Sequence, residues 1–191
     1  MKPVRKVTAA LATLMLTMAI YGTARASRAQ KDSEAQKPAS KTPEMDRLKF
    51  YLGEWDYTET YAKSGEYPNG TKNTGLYTSK LGPGGNSLIN SFHSQGPAGD
   101  FEALLVMTWD AKEKAYKEYV FSDFPGAIVE TGQFDGDALV FRAEFSEGGT
   151  TVKTRNVARL TRPGKMVIEE YSALKDGQEK LFVTVDATKH R

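Results

Sequence analysis

Leu52-Gly53-Glu54-Trp55-Asp56-Tyr57-Thr58-Glu59-Thr60-Tyr61 is the stretch on which the fold turns. Its side chains alternate: Trp55, Tyr57, Glu59 and Tyr61 fall on one face, and Glu54, Asp56, Thr58 and Thr60 on the other. That period of two is the signature of an extended strand. Gly53 permits the tight bend from whatever precedes it into this strand. Trp55 brings a large apolar area, which predicts that it plugs one end of a barrel and meets the last strand.

Upstream, Thr42-Pro43-Glu44-Met45-Asp46 reads as a helix start. Thr42 is placed as the N-cap, Pro43 fits the first helical position, and two acids sit near the positive end. Met45, Leu48 and Leu52 share one helical stripe. A helix this short must pack on something to persist, and it is expected across one open end of a barrel.

Downstream, the period of two returns in nine further runs: 71–81, 88–95, 101–109, 116–124, 127–134, 139–145, 150–161, 166–174 and 180–188. Tight turns join them, among them Gly82-Pro83-Gly84-Gly85-Asn86, Gly96-Pro97-Ala98-Gly99 and Asp135-Gly136-Asp137. Evenly spaced strands joined this way describe an antiparallel meander, and no helical crossover long enough for a parallel unit intervenes. Closing such a sheet removes its two exposed edges. The predicted fold is therefore all-β: an antiparallel up-and-down barrel of about ten strands with one short N-terminal helix. The run at 101–109 is apolar on both faces through Leu104, Leu105, Val106 and Met107, so its outer side is expected to be covered, by the helix or by a partner.

The first 26 residues read as a secretory signal peptide. Lys2, Arg5 and Lys6 precede an uncharged apolar run from Val7 to Ile20, and Ala24-Arg25-Ala26 offers a cleavage site after Ala26. Ser27 to Pro43 is polar, with no large apolar side chain, and reads as a flexible linker. The barrel domain is assigned to 44–191. Export would place the mature chain in the periplasm or outside the cell. The full chain carries a formal charge of +2, and loss of Lys2, Arg5, Lys6 and Arg25 takes it to −2. The linker contributes +2, so the barrel domain stands at −4. A mildly acidic domain is a poor partner for nucleic acid.

Chemistry is sparse. There is no Cys, which excludes disulfides, thiolate metal sites and a Cys nucleophile, and only two His are present, His93 and His190. Glu169 and Glu170 are adjacent on a strand and point to opposite sides, so they cannot act as a pair. No cofactor is expected. An outer-membrane barrel would turn the apolar faces to lipid, which on the eighth run would place Thr154 and Asn156 there; the mature chain is therefore expected not to insert in a membrane.

The functional reading comes from the mixed face. Lys153, Arg155 and Arg159 share one side of the eighth run; Val152, Thr154, Asn156, Ala158 and Leu160 share the other. Thr154 and Asn156 inside, with Glu118 as a further inward candidate, point to an interior with polar anchors. Ligand pockets are mostly apolar with a few placed polar groups. The expected function is binding of a small apolar or amphipathic molecule inside the barrel, with Trp55, Tyr57, His93, Trp109, Tyr119 and Asn156 as candidate ligand-binding residues. The alternatives are a filled structural barrel with an exposed apolar patch, and an enzyme built on His93 with Glu118.

Leu48…Leu52-Gly53-Glu54-Trp55, the Trp109-Asp110 hairpin and Phe134-Asp135-Gly136-Asp137 before Leu139-Val140-Phe141 resemble a bacterial family, domain of unknown function 1579, from about Glu44 to the chain's end. The resemblance implies a lipocalin-like (calycin) barrel and carries over no catalytic residues. Nitrobindin-like haem barrels belong to the same fold group with a proximal His near the chain's end, where this sequence offers only His190.

Overall fold

The computed structural model describes residues 42–147, 149–173 and 177–190. The expected signal peptide and nearly all of the expected linker lie outside these residues.

Helix α1 spans Pro43–Asp46 and runs into a 3-10 turn at Lys49–Tyr51. Ten strands follow: β1 (Gly53–Tyr61), β2 (Thr71–Leu81), β3 (Ser87–Gln95), β4 (Phe101–Asp110), β5 (Ala115–Ser122), β6 (Ala127–Asp135), β7 (Ala138–Glu147), β8 (Thr150–Arg162), β9 (Lys165–Ala173) and β10 (Glu179–Lys189). Each pairs antiparallel with its sequence neighbours, and β10 pairs with β1 to close the barrel. Trp55 lies opposite Lys189 and Tyr61 opposite Val183, so the last strand runs along the first for nearly its whole length. The predicted barrel and short helix are both present.

The helical segment lies across the barrel end where β1 begins. Pro43 occupies the first turn. The Thr42 side chain makes no capping bond; instead its backbone N–H donates to Asn86 Oδ1 at 3.1 Å, tying the helix to the β2–β3 turn. Met45 and Leu48 are fully buried, and Tyr51 completes the buried stripe in place of Leu52. The reason is local: the chain tightens to 3-10 geometry after Leu48, and a three-residue period brings Tyr51 under the same face. The Tyr51 carbonyl then accepts the Trp55 Nε1–H at 2.8 Å, and the Glu44 carbonyl accepts the Tyr116 hydroxyl at 2.8 Å.

Below the helix, Trp55, Tyr77, Leu88, Met107, Leu139, Phe141 and Met166 fill this end of the lumen. Tyr77 stacks on Phe92 with centroids 4.5 Å apart. Gly132 makes room for one of these rings: a Cβ there would sit 2.4 Å from Phe141.

The outward positions carry charge, including Glu54 and Asp56 on β1 and Lys153 and Arg159 on β8, all exposed. This surface suits water and not a lipid-facing band. Among the described residues no helix is long and apolar enough to cross a membrane. The outer side of β4 departs from expectation. The helix contacts the end of this strand but not its flank, so Leu104 stays 44 % exposed, paired in register with exposed Phe121.

A four-residue helix holds its place only through what it buries. Leu48→Ala is expected to destabilise the protein by about 2–5 kcal/mol, read as a lower urea midpoint at unchanged slope.

Candidate functional site

The lumen has two unlike halves. Inward residues near the helix are buried. At the far end, Leu105, Val120, Ile128, Ala143, Phe145 and Val152 also share inward parity, yet each keeps partial exposure to solvent. Their rows are in register: Leu105 lies opposite Val120, Val120 opposite Ile128, and Phe145 opposite Val152. An inward side chain reached by water marks a lumen open at that end. Its wall is apolar.

Where the plug meets this open half, acids point inward. Glu59 (β1), Glu118 (β5) and Glu130 (β6) are buried, and Glu170 (β9) is partly so. Their parity places them there: Glu59 follows Trp55 and Tyr57, Glu118 follows Tyr116, Glu130 lies between Ile128 and Gly132, and Glu170 follows Met166 and Ile168. Glu118 and Glu130 are direct cross-strand partners. Asn156 Nδ2 donates to both oxygens of Glu130, at 3.2 and 3.0 Å, and Asn156 itself sits opposite Glu170. The Tyr61 hydroxyl donates to Glu59 Oε2 at 3.0 Å. None of the four acids forms an ion pair among the described residues.

Several polar atoms beside this belt lack partners: Glu118 Oε1, the Tyr57 hydroxyl, Ser94 Oγ and Asn90 Nδ2. The Tyr57 and Ser94 hydroxyls are near neighbours, close enough for Ser94 to favour the ionised phenol, but are not aligned as a hydrogen bond. Buried polar groups without partners are uncommon in native proteins and call for an explanation.

The electrostatics follow from burial. Glu118 is held well above the usual carboxylate range, first by loss of solvent and then by the facing Glu130, with which it can share a proton. Burial also raises Glu130, while Asn156 and Thr154 pull against that shift by favouring its charged form. Glu170 is pushed up to about 7, chiefly by burial, then by Glu130 and Glu59. It is encircled by protein yet still touched by solvent, as a side chain on the wall of a water-reachable cavity would be.

The six candidate residues divide. Trp55 is 1 % and Tyr57 3 % exposed, both inside. Asn156 points inside and finds a carboxylate. Trp109 packs edge-on against Tyr116 near the helix, beside a small surface cleft of about 210 Å³ that also includes Arg47 and Phe134. His93 and Tyr119 are corrections. His93 lies on the outer face, where Nδ1 meets Glu102 Oε1 at 3.1 Å. It borders an open surface groove of about 630 Å³ across β1, β2, β3 and β10. Tyr119 is exposed on the outside, since Glu118 takes the inward position next to it. His93 and Glu118 are thus on opposite faces of the sheet and cannot act as an acid–base pair. Glu169 does point away from Glu170, to Arg159 at 3.3 Å. His190 also sits outside: Nε2 contacts Asp56 Oδ2 at 2.8 Å and Nδ1 contacts Glu54 Oε2 at 3.4 Å, which raises its pKa and leaves neither ring nitrogen for a haem iron in the lumen.

Glu59, Glu130 and Glu170 were missing from the candidates. Strand parity carried the signal for all three, since each shares a face with neighbouring apolar residues.

These features define a closed ten-stranded antiparallel barrel of lipocalin-like form, plugged at one end and lined with carboxylates at mid-height. The chain belongs to the family described as protein of unknown function DUF1579, matching it over residues 40–189. Two solved structures share the fold at 10 % sequence identity. Rv2717c from M. tuberculosis aligns with a TM-score of 0.56, over 80 % of this chain and 100 % of that one. The S-type phycobiliprotein lyase CPES from Guillardia theta aligns with a TM-score of 0.51, over 76 % of this chain and 92 % of that one. A sequence comparison with curated proteins finds no match.

Glu170 makes stability depend on pH. Its native pKa of about 7 lies above the unfolded value, so the unfolded chain gives up this proton first. Stability is then lost as pH rises from about 4.5 to about 7, by roughly 3 kcal/mol for this group, and is flat above. Glu170→Gln is expected to remove that fall, so that denaturation midpoints of the two proteins agree near pH 4 and the variant is the more stable at pH 8.

Proposed function

We propose that the barrel is an exported carrier or sensor of a small amphipathic molecule, held in the open half of the lumen with its polar end at the carboxylate belt. The observation that carries the reading is the apolar inward wall of Leu105, Val120, Ile128, Phe145 and Val152, which remains reachable by solvent beside unpartnered polar atoms. Pockets for small molecules combine an apolar lining with a few convergent polar groups. Barrels of this size have room for such a ligand. The fold shared with a phycobiliprotein lyase agrees with a lumen that handles small molecules. Export rests on the charged, apolar and small-residue pattern of residues 1–26.

A single experiment addresses both parts: native mass spectrometry of the protein recovered from the envelope fraction of a bacterial host. The expected polypeptide mass begins at Ser27. A second species, heavier by a reproducible increment that is lost on denaturation, is expected beside it. Ala143→Trp, which places a large ring in the open half, is expected to abolish the increment, whereas His93→Ala and Tyr119→Ala on the outer face leave it intact. An increment that survives Ala143→Trp and disappears with His93→Ala would move the site to the outer groove.

A further inference from the structure

We propose that the molecule held in the lumen is a cationic amphiphile: an ammonium group seated among Glu59, Glu118, Glu130 and Glu170, with an alkyl or aromatic body against the apolar wall. This deepens the preceding reading and depends on it.

Four inward acids meet at one level of the barrel, and the inward positions of the strands at that level supply no Lys, Arg or His. Buried acids are normally paired with a cation or heavily hydrogen-bonded. Here protein donors reach only part of the set: Asn156 serves Glu130 and Tyr61 serves Glu59. Glu118, 4 % exposed, has an oxygen with no partner.

A second observation is independent of the acids. The Tyr57 hydroxyl, 3 % exposed, and Ser94 Oγ, fully buried, are also unpartnered. Both are on inward positions: the Tyr57 phenol follows Trp55 and precedes Glu59 on β1 and lies over Gly75, which pairs with Ser94 on β3. Hydroxyl oxygens accept hydrogen bonds as well as donate them.

The seated group must donate several hydrogen bonds, because the unpartnered carboxylate and hydroxyl oxygens of Glu118, Tyr57 and Ser94 outnumber the one unpartnered nitrogen donor among the described residues, Asn90 Nδ2. It should be positive, because two facing carboxylates otherwise stay neutral or repel. An ammonium has three donors and no acceptor. A carboxylate or phosphate headgroup would add a like charge and is excluded by the same argument. A polyol could donate, but it would leave the apolar wall facing polar groups. Seating an ammonium requires no covalent step: the cation displaces the proton that Glu118 and Glu130 share, and that proton leaves to solvent.

The test is a charge series on one alkyl chain, titrated calorimetrically into the purified protein at pH 7: decylamine, decanol and decanoate. Decylamine is expected to bind at least tenfold more tightly than decanol, in line with charge-assisted bonds to buried carboxylates, and decanoate more weakly than decanol. Glu118→Gln and Glu170→Gln should each weaken decylamine severalfold and decanol by clearly less, so that the ratio of the two affinities falls. Both substitutions relieve repulsion, so the variants are expected to fold. Equal affinity for decanol and decylamine, unmoved by either substitution, would overturn the ammonium assignment while the amphiphile reading stands. Failure of all three probes to bind would overturn both.

Discussion

A ten-stranded antiparallel barrel has a wider circumference to close than an eight-stranded one, and the rest of this structure is an answer to that constraint. With eight strands, side chains just close the interior or leave room for one small ligand. The added circumference here is dealt with differently at the two ends. One end is packed solid by Trp55, Tyr77, Leu139 and Met166 beneath Met45, Leu48 and Tyr51. The other has an apolar wall but no plug. Closure of β10 on β1 is what turns the second end from an exposed sheet face into a lumen.

The plug and the belt depend on each other. Burying carboxylates without cations costs stability, and it is tolerable only in a barrel already secured elsewhere. The aromatic end supplies that security. The helical segment carries the lid of the plug, and its Tyr51 carbonyl fixes the Trp55 indole. At mid-height Glu118, Glu130 and Glu170 hold protons more tightly than ordinary carboxylates, and Asn156 and Tyr61 donate hydrogen bonds to Glu130 and Glu59. What remains is a set of oxygens with unused hydrogen-bonding capacity at the floor of an apolar chamber. Such arrangements are poor for stability and common at binding sites.

Much of the architecture was legible because a strand writes its orientation into alternate residues. Trp55, Tyr57 and Glu59 sit where period two puts them, and the Gly-rich turns fall between strands as read. The helix was less legible. Its last turn tightens to 3-10, so Tyr51 took the buried place expected for Leu52. The site was read by residue type more than by parity, and two of its six residues, His93 and Tyr119, face outward. His93 was chosen as a titratable residue in mid-strand, although Phe92 and Ser94 on either side take the inward positions of β3. Tyr119 and Glu118 are adjacent and cannot both face inward. Glu130 and Glu170 were not among the candidates, yet they share faces with Ile128 and with Met166 and Ile168. Which strands face one another across a lumen is a property of closure, and no single strand's pattern contains it.

The lumen site rests on the clustering of Glu118, Glu130 and Glu170 inside the barrel, each held above the ordinary range for Glu by burial. Its most direct test is a carbon-13 NMR titration of the Glu side-chain carboxyl groups, with Glu118, Glu130 and Glu170 assigned through their Gln variants. The account expects these three resonances to titrate above the range of the surface acids, with Glu170 near pH 7 and a change at any one position shifting the others. Independent titration of all three near the ordinary value for Glu would contradict it, and would place these acids in bulk water instead of at the floor of a shared chamber.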